Sequence, residues 1–445
     1  MGASDCHYFG NWRPDCLSAQ ETGRDERFRW FNPWDRWAAG FNGQLDSCGT
    51  YWLLYFAYPE IVSSRKKVVL LGATGSIGDS TLQVLRKHPD KLELLGASAH
   101  RQEEKLLSIV NEFEAPHAHL GSQPETPKAF PSFTSLYSTH SDLNALASHQ
   151  DADVVVVAIV GSAGLGPTLA ALNAGKDVVL ANKESLVVGG KLVTEAARKT
   201  GARIIPADSE HNAIHQCLLG QEDRSLDSII LTASGGAFRE LPLDQMKDVT
   251  LAQALKHPNW SMGPKVTIDS ATMANKGLEL IEAHWLFGLP SEKMEVVIHP
   301  TSIVHAMVRF IDGCCLAQLS PPSMTFALQN ALLFPHRHRG VEKSLDFSQA
   351  INLSFTPPCE KRYPCLRLAR ESLSQGGSFP LAFNAANEVA VDAFRMNRIG
   401  FVQISNIIES TLNKLNATEP SNIEELNALD SHIREIAENL VGSLN

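Results

Sequence analysis

"KKVVLLGATGSIG" runs from Lys66 to Gly78, and its reading decides the fold. "KKVVLL" (66–71) reads as a buried strand. Gly72, Gly75 and Gly78 form a turn, and a helix follows through about His88, with Ile77, Thr81, Val84 and Leu85 on one face. Glycines between a first strand and a first helix let the backbone approach a pyrophosphate, which the helix N-terminus stabilises. The spacing is G-x-x-G-x-x-G rather than G-x-G-x-x-G. Alone it also fits an ordinary tight turn; its place in a repeating pattern favours dinucleotide binding.

That pattern extends outward. "LELLGAS" (92–98), "ADVVVVAIV" (152–160), "KDVVLA" (176–181) and "ARIIP" (202–206) are further buried strands separated by helical segments. Strands alternating with helices predict a parallel, doubly wound sheet, an α/β class of fold. Beyond residue 206 the strands crowd together: "SIILTA" (228–233), "KVTID" (265–269), "MEVVIH" (294–299), "IVHAMVRF" (303–310) and "CCLAQL" (314–319) predict an α+β domain. After about 345 come a proline-containing connector and then helices only. Ile423, Leu426, Leu429, Ile433, Ile436 and Leu440 recur at three- and four-residue spacing, an amphipathic helix over 423–443.

Composition narrows the function. The 445 residues are 44% hydrophobic and 20% charged, with a net charge of −10, which fits a globular protein and argues against non-specific nucleic-acid binding. The eight cysteines form no C-x-x-C pair, so neither a zinc framework nor a disulfide scaffold is expected, and a reducing cytoplasmic setting is the simplest reading. No apolar run reaches the roughly 18 residues of a membrane span; "YWLLYFAY" (51–58) is too short.

Residues 1–65 stand apart. They hold five of the seven Trp, four of the six Tyr and three of the eight Cys, without sustained periodicity. They lack the organisation of a signal peptide, and seven acidic residues before position 50 argue against a transit peptide. The expectation is an atypical extension, disordered or translated from a misplaced start, with the functional start near Val62.

Five features carry chemistry. Arg101, at the end of the second strand, suits the 2′-phosphate of NADP, or is a solvated residue at a helix start. Asn182, Lys183 and Glu184 in "LANKESLV" (180–187) sit at the carboxyl end of the sheet, where ligands bind in this architecture. Asp208 and Glu210 stand two apart and would face the same way in extended chain. They form either a polar surface turn or part of an oxygen-donor site for Mg²⁺ or Mn²⁺, with Glu279 in "DSATMANKGLELIEAHW" (269–285) as a third ligand. Ser234, His257, Ser270, Asn275 and Lys276 together offer hydroxyl, imidazole, amide and ammonium groups for a phosphate. "HPNWSMG" (257–263) places Trp260 and Met262 on a Pro/Gly-bounded loop suited to a lid, or to a Trp packed in the core.

Taken together, "GATGSIG", "AIVGSAGL" (158–165), "LANKESLV", "DSEHNA" (208–213), "HPNWSMG", "DSATMANKGLE", "MEVVIHP", "RYPCL" (362–366) and "FNAANEVAV" (383–391) resemble the 1-deoxy-D-xylulose 5-phosphate reductoisomerase family, in family order over about residues 66–440. The resemblance implies an NADPH- and divalent-metal-dependent conversion of 1-deoxy-D-xylulose 5-phosphate to 2-C-methyl-D-erythritol 4-phosphate in isoprenoid biosynthesis, by a homodimer. It implies a Rossmann-like NADPH-binding domain (66–207), a catalytic, connective and dimerisation domain (208–343), a linker (344–359) and a C-terminal helical bundle (360–445). By the same resemblance Asp208, Glu210 and Glu279 bind the metal (Mg²⁺, Mn²⁺ or Co²⁺). Lys183, Ser209, Glu210 and Glu279 contact substrate, and Ser234, His257, Ser270, Asn275 and Lys276 surround its phosphate. Thr74, Gly75, Ser76, Ile77, Arg101, Gln102, Asn182, Glu184 and Gly263 line NADPH. Glu210, Lys183, His257 and Lys276 are the catalytic candidates.

Departures from the family pattern exist. Family members often carry Asn where Gln102 stands, and commonly read P-D-M-R where this chain has Pro322-Ser323-Met324-Thr325; the second change bears on dimer packing or the link to the bundle. Two rival readings remain at this stage. One is a semialdehyde or homoserine dehydrogenase-like oxidoreductase, against which the three carboxylates and the Trp loop argue. The other is a non-catalytic NADP-binding module, which would bind nucleotide without turnover.

Overall fold

The computed structural model describes residues 65–122 and 128–444. The extension and its "YWLLYFAY" run lie outside the described residues, apart from Arg65. Seven strands form the first sheet: β1 (Lys66–Leu71), β2 (Leu92–Ala99), β3 (His117–Leu120), β4 (Ser135–Tyr137), β5 (Val154–Val157), β6 (Asp177–Leu180) and β7 (Ile204–Pro206). Their order is β4-β3-β2-β1-β5-β6-β7, and every pairing is parallel. The chain reverses direction of travel between β1 and β5, so the crevice outside their carboxyl ends is the ligand position for this topology. β3 and β4 carry His, Ser and Tyr rather than a Val/Ile run, and no sequence signal marked them.

β1 explains why the sheet holds. Val68 to Leu71 are fully buried, each contributing about 1.5–3 kcal/mol by the usual area scale. Val68 and Leu70 face one helical layer and Val69 and Leu71 the other, so one strand serves two cores. Gly72 ends the strand at φ +87°, and a Cβ there would meet the Ala158 carbonyl at 2.5 Å, so only glycine fits where the β1 and β5 turns touch.

The second sheet contains β8 (Leu226–Ala233), β9 (Met294–Ile298), β10 (Val304–Phe310) and β11 (Cys315–Leu319) in the order β11-β10-β8-β9. β8 and β9 run parallel, and β10 is antiparallel to both β8 and β11. "KVTID" is not a strand. It lies in the helix Pro264–Thr272, which Gly263 caps and Pro264 begins. Val266, Thr267 and Ile268 favour extended backbone, but a proline at the first helical position and a Lys265–Asp269 pair at i,i+4 (2.9 Å) outweigh that weak preference.

The helix Met324–Leu333 returns to the first sheet: Leu328, Ala331 and Leu332 join the core around Val68 and Leu82, and Lys66 Nζ donates to the Leu332 carbonyl at 2.7 Å. Ser323 caps this helix, and Ser323 and Thr325 both donate to Glu342 Oε1, at 2.5 and 2.8 Å. Helices Pro364–Gln375, Phe379–Arg395, Gln403–Leu412 and Ile423–Gly442 form the C-terminal bundle around Phe383, Ala386 and Ile404. On the last helix the deepest residues are Leu426, Ile433, Ala437 and Val441.

Candidate functional site

The site grows from the carboxyl edge of the parallel sheet. After β1, Gly75 begins the helix Ser76–Lys87 with no side-chain cap, so its first N–H groups stay available for an anion. Thr74 is tied in place by Lys105, whose ammonium reaches the Thr74 carbonyl at 3.0 Å and Asp79 at 2.8 Å. After β2, Arg101 and Gln102 are exposed beside this turn, and Arg101 makes no ion pair with a described residue. After β6, Asn182 caps the helix Lys183–Thr200. Its amide nitrogen also donates to the Ile159 and Gly161 carbonyls at 2.7 and 2.8 Å and to Glu184 at 3.1 Å. A single buried Asn thus fixes the β5 turn, the β6 turn and a carboxylate.

Beside that edge lies a charged centre. Asp208 is the cap of the helix Ser209–Leu218, and Glu210 lies in its first turn. The two acids therefore do not lie in extended chain; they converge because a helix N-terminus turns them to one side, where its dipole also favours negative charge. Glu279 comes from the helix Ala274–Phe287 and is almost fully buried. Helix Lys183–Thr200 reaches it through a close approach at Gly190, where a Cβ would overlap the Trp285 ring at 2.3 Å. Two lysines join the three acids. Lys183 Nζ lies 2.6 Å from Asp208, 3.4 Å from Glu279 and 2.9 Å from Asn275 Oδ1. Lys276 Nζ lies 2.7 Å from Glu210 and 2.5 Å from Glu279. Ser209 donates to Glu210, and Asn275 to Glu279.

Burial sets the electrostatics. It would raise the Asp208 carboxyl, but Lys183 and then His211 hold it at about 2. Burial also dominates at Glu279, where the Glu210 charge reinforces it and pushes the carboxyl up to about 7 despite both lysines. Burial would strip the proton from Lys183 and Lys276, but Asp208 and Glu279 for the first, and Glu210 and Glu279 for the second, outweigh it and keep both as ammoniums. Asp208, Glu210 and Glu279 bring one oxygen each within 4.8 Å of one another. Three hard oxygen donors converging from two helices fit a divalent cation of the Mg²⁺ type.

His211 and Glu282 support this set from behind. His211 Nε2 donates to the Glu279 carbonyl at 2.9 Å, and its Nδ1 faces Glu282 at 3.3 Å. Burial lowers the His211 ring to about 4 and raises Glu282 well above its ordinary value, so burial disfavours charge on both groups. Asn212 donates to the Pro206 carbonyl at 2.9 Å and holds the end of β7.

The phosphate-type groups gather opposite. His257 Nδ1 accepts from the Trp260 and Asn259 backbone N–H groups at 2.9 and 3.2 Å. Burial, and then Arg239, lower the ring to about 4, so it is neutral and its hydrogen is on Nε2. That hydrogen points to Ser234 Oγ at 2.9 Å, which also accepts from Gly236 N at 3.1 Å. Ser234 thereby keeps its own hydroxyl hydrogen to offer. Gly236 rests against the Ser270 carbonyl, which brings Ser234, His257 and Ser270 to one place. Asn275 and Lys276 instead face the acids in this structure. The Trp260 loop is folded down. Asn259 donates to the Pro300 carbonyl at 2.6 Å and to Ser302 at 2.8 Å, and the half-buried Trp260 ring meets His305 edge-on at 6.1 Å. Met262 is half-buried, and Gly263 caps the helix that follows.

Three groups at this site escaped the sequence reading: His305, Glu282 and Lys265. Signals existed for two. His305 interrupts the apolar run "IVHAMVRF", and Glu282 follows Glu279 by three on an otherwise apolar helix face.

A nucleotide-binding parallel sheet whose carboxyl edge meets three acids and two lysines defines a class: an enzyme of nucleotide-dependent chemistry on an anionic substrate. Comparison with known proteins narrows the class. Residues 68–190 match the family model for 1-deoxy-D-xylulose 5-phosphate reductoisomerase, residues 204–287 the model for its C-terminal domain, and residues 319–436 a further DXP reductoisomerase C-terminal domain model. The Ralstonia pickettii reductoisomerase is 45% identical over 386 residues, 85% of this chain and 98% of its own length; that of Bacillus cereus is 45% identical over 372 residues, 83% and 98%. A crystal structure of DOX-P reductoisomerase in complex with NADPH, fosmidomycin and magnesium aligns at a TM-score of 0.78 with 38% identity, covering 85% of this chain and 99% of that one. The Zymomonas mobilis enzyme in complex with NADPH aligns at 0.78 with 40% identity and the same coverage. This chain belongs to the 1-deoxy-D-xylulose 5-phosphate reductoisomerase family.

Proposed function

We propose that this chain converts 1-deoxy-D-xylulose 5-phosphate to 2-C-methyl-D-erythritol 4-phosphate with NADPH and a divalent cation. The observation that carries the reading is the convergence of Asp208, Glu210 and Glu279 beside the nucleotide edge. Relatives 45% identical over nearly their whole length favour it over a semialdehyde or homoserine dehydrogenase and over a non-catalytic module.

Asp208, Glu210 and Glu279 are the residues assigned to the cation, which when bound supplies a Lewis acid for neighbouring hydroxyl and carbonyl oxygens. Mg²⁺, Mn²⁺ and Co²⁺ all suit such donors. Thr74, Gly75, Ser76, Ile77, Arg101, Gln102, Asn182, Glu184 and Gly263 are the residues assigned to NADPH, which supplies the hydride. Lys183 and Lys276 are ammoniums in reach of the acids, so each offers a proton or hydrogen bond to a substrate oxygen, and Ser209, which opens the helix capped by Asp208, is assigned to the substrate as well. Ser234, oriented by neutral His257, and Ser270, with Asn275 and Lys276 from the next helix, are assigned to the phosphate. Trp260 and Met262 cover the site and exclude water.

The division at 66–207, 208–343, 344–359 and 360–445 is proposed with this function. A homodimer is proposed as well: β11 is a sheet edge with Leu316 and Leu319 exposed, a surface a second copy would cover. A cytoplasmic setting agrees with the five free cysteines among the described residues, and no described helix is long and apolar enough to cross a membrane. The test of function is product identification. Incubation with 1-deoxy-D-xylulose 5-phosphate, NADPH and Mg²⁺ yields the branched 2-C-methyl tetritol phosphate by NMR; reduction of the unrearranged sugar instead would refute the assignment.

A further inference from the structure

Lys265 is a misfit by local rules. It sits at the second position of the helix Pro264–Thr272, where the dipole disfavours a cation, and its side chain is 15% exposed. Burial opposes its charge, yet Asp269 and then Glu184 raise its proton affinity above the ordinary value, so it stays an ammonium. Its Nζ lies 2.9 Å from Asp269 Oδ2 and 3.3 Å from Glu184 Oε1. The position of these partners gives the misfit a purpose. Glu184 shares Asn182 with the Ile159 and Gly161 carbonyls, so it belongs to the cofactor edge. Asp269 is fully buried, and Asn387 of the bundle donates to its other oxygen at 2.9 Å. Lys265 itself follows the cap Gly263 by two residues and Trp260 by five, so it stands at the root of the covering loop. Without the ammonium, two buried carboxylates would face each other between the cofactor turn and that root.

We propose that Lys265 is a positioning residue that ties the root of the Trp260 loop to the cofactor turn, so that nucleotide binding and loop closure over the phosphate are energetically linked. The proposal rests on the reading of Glu184 as a cofactor contact and of Trp260 as a lid. Its mechanism is electrostatic: a ligand that orders Glu184 also orders Lys265, and through it the helix start on which the loop hangs. By linkage the effect is reciprocal.

The experiment measures the affinity of the Mg²⁺-loaded enzyme for inorganic phosphate with and without saturating NADPH, and the NADPH Kd, in four proteins. In the wild type NADPH tightens phosphate binding by about 5-fold or more, the ordinary size of such coupling. In Lys265→Met the factor falls to about 1, while Lys265→Arg restores it to within about 3-fold of wild type. A merely structural loss would weaken both ligands without erasing the ratio. Should Lys265→Met not fold, the double variant Lys265→Met/Asp269→Asn, which removes the ammonium with one partner, carries the same measurement. Glu184→Gln separates the two readings. If it leaves the NADPH Kd unchanged, the cofactor assignment of Glu184 falls, and the proposal with it. If it weakens NADPH while Lys265→Met keeps the wild-type ratio, the proposal alone is overturned. A wild-type ratio of about 1 overturns it too.

Discussion

Lys183 and Asp208 belong to successive turns of the parallel sheet, one after β6 and one after β7, and their Nζ and Oδ2 lie 2.6 Å apart. The contact joins the nucleotide edge to the acidic centre, because Lys183 also reaches Glu279 and directly follows Asn182 in the chain. Lys183→Met is expected to remove it at a cost in both places. Turnover falls by at least about 100-fold, in the range of a lost charge-stabilising donor, and cation affinity changes with it because Asp208 loses its partner. Steady-state kinetics with a cation titration checks both; a loss confined to the NADPH KM would contradict this role.

Glu279→Gln keeps the size of the side chain but removes the charge of a proposed cation ligand from a buried position and turns one acceptor oxygen into a donor facing Asn275 and Lys183 or Lys276. Cation-dependent turnover is expected to fall by more than the roughly 10–100-fold typical of outer partners, while circular dichroism and NADPH binding remain. His211→Gln is the matching outer case. It disturbs the support behind Asp208 and Glu279, and cation affinity is expected to drop by about 10–100-fold, measurable by calorimetry.

Two glycines of the first turn separate folding from binding. Gly72 has φ +87° and no room for a Cβ, whereas Gly75 has ordinary backbone and its nearest obstacle at 3.6 Å. Gly72→Ala should destabilise the protein by about 1–3 kcal/mol. Gly75→Ala should leave stability within about 0.5 kcal/mol and act on the NADPH KM instead. Denaturant curves with nucleotide titrations decide; equal destabilisation by both would contradict the geometry.

His215 gives the pH dependence. Burial, and then the charge of Arg203, lower its ring from 6.5 to about 4, and it lies edge-on to Phe334 at 5.1 Å. The folded state therefore resists protonation more than the unfolded chain does. Its contribution is present above about pH 6.5 and is lost as pH falls from there toward 4. His215→Phe should flatten the stability profile over that window in chemical denaturation, and an unchanged slope would refute the assignment.

Five of the seven strands of the parallel sheet were legible because they are apolar runs rich in Val, Leu and Ile, whereas β3 and β4 lack such runs and were not; the candidate site residues drew notice because they stand in motifs. The helix over "KVTID" was hidden, since β-branched residues imitate a strand and the helix depends on Pro264, Gly263 and one long-range acid, Glu184. For Asp208 and Glu210 the proximity was legible but its cause was not: the pairing arises from a helix start rather than from alternation along a strand. Glu282 and Lys265 depend on partners from distant helices, which spacing along the chain does not reveal.

The central claim is that the three-acid centre is the cation site of an NADPH-dependent rearrangement. The most direct measurement is NADPH oxidation with 1-deoxy-D-xylulose 5-phosphate by enzyme stripped with EDTA, before and after adding back Mg²⁺ or Mn²⁺, in wild type and Glu279→Gln. The stripped enzyme is expected to show no oxidation, the wild type to recover on adding either cation, and the variant not to recover. Full oxidation by the stripped enzyme, or equal recovery of Glu279→Gln, would contradict the claim.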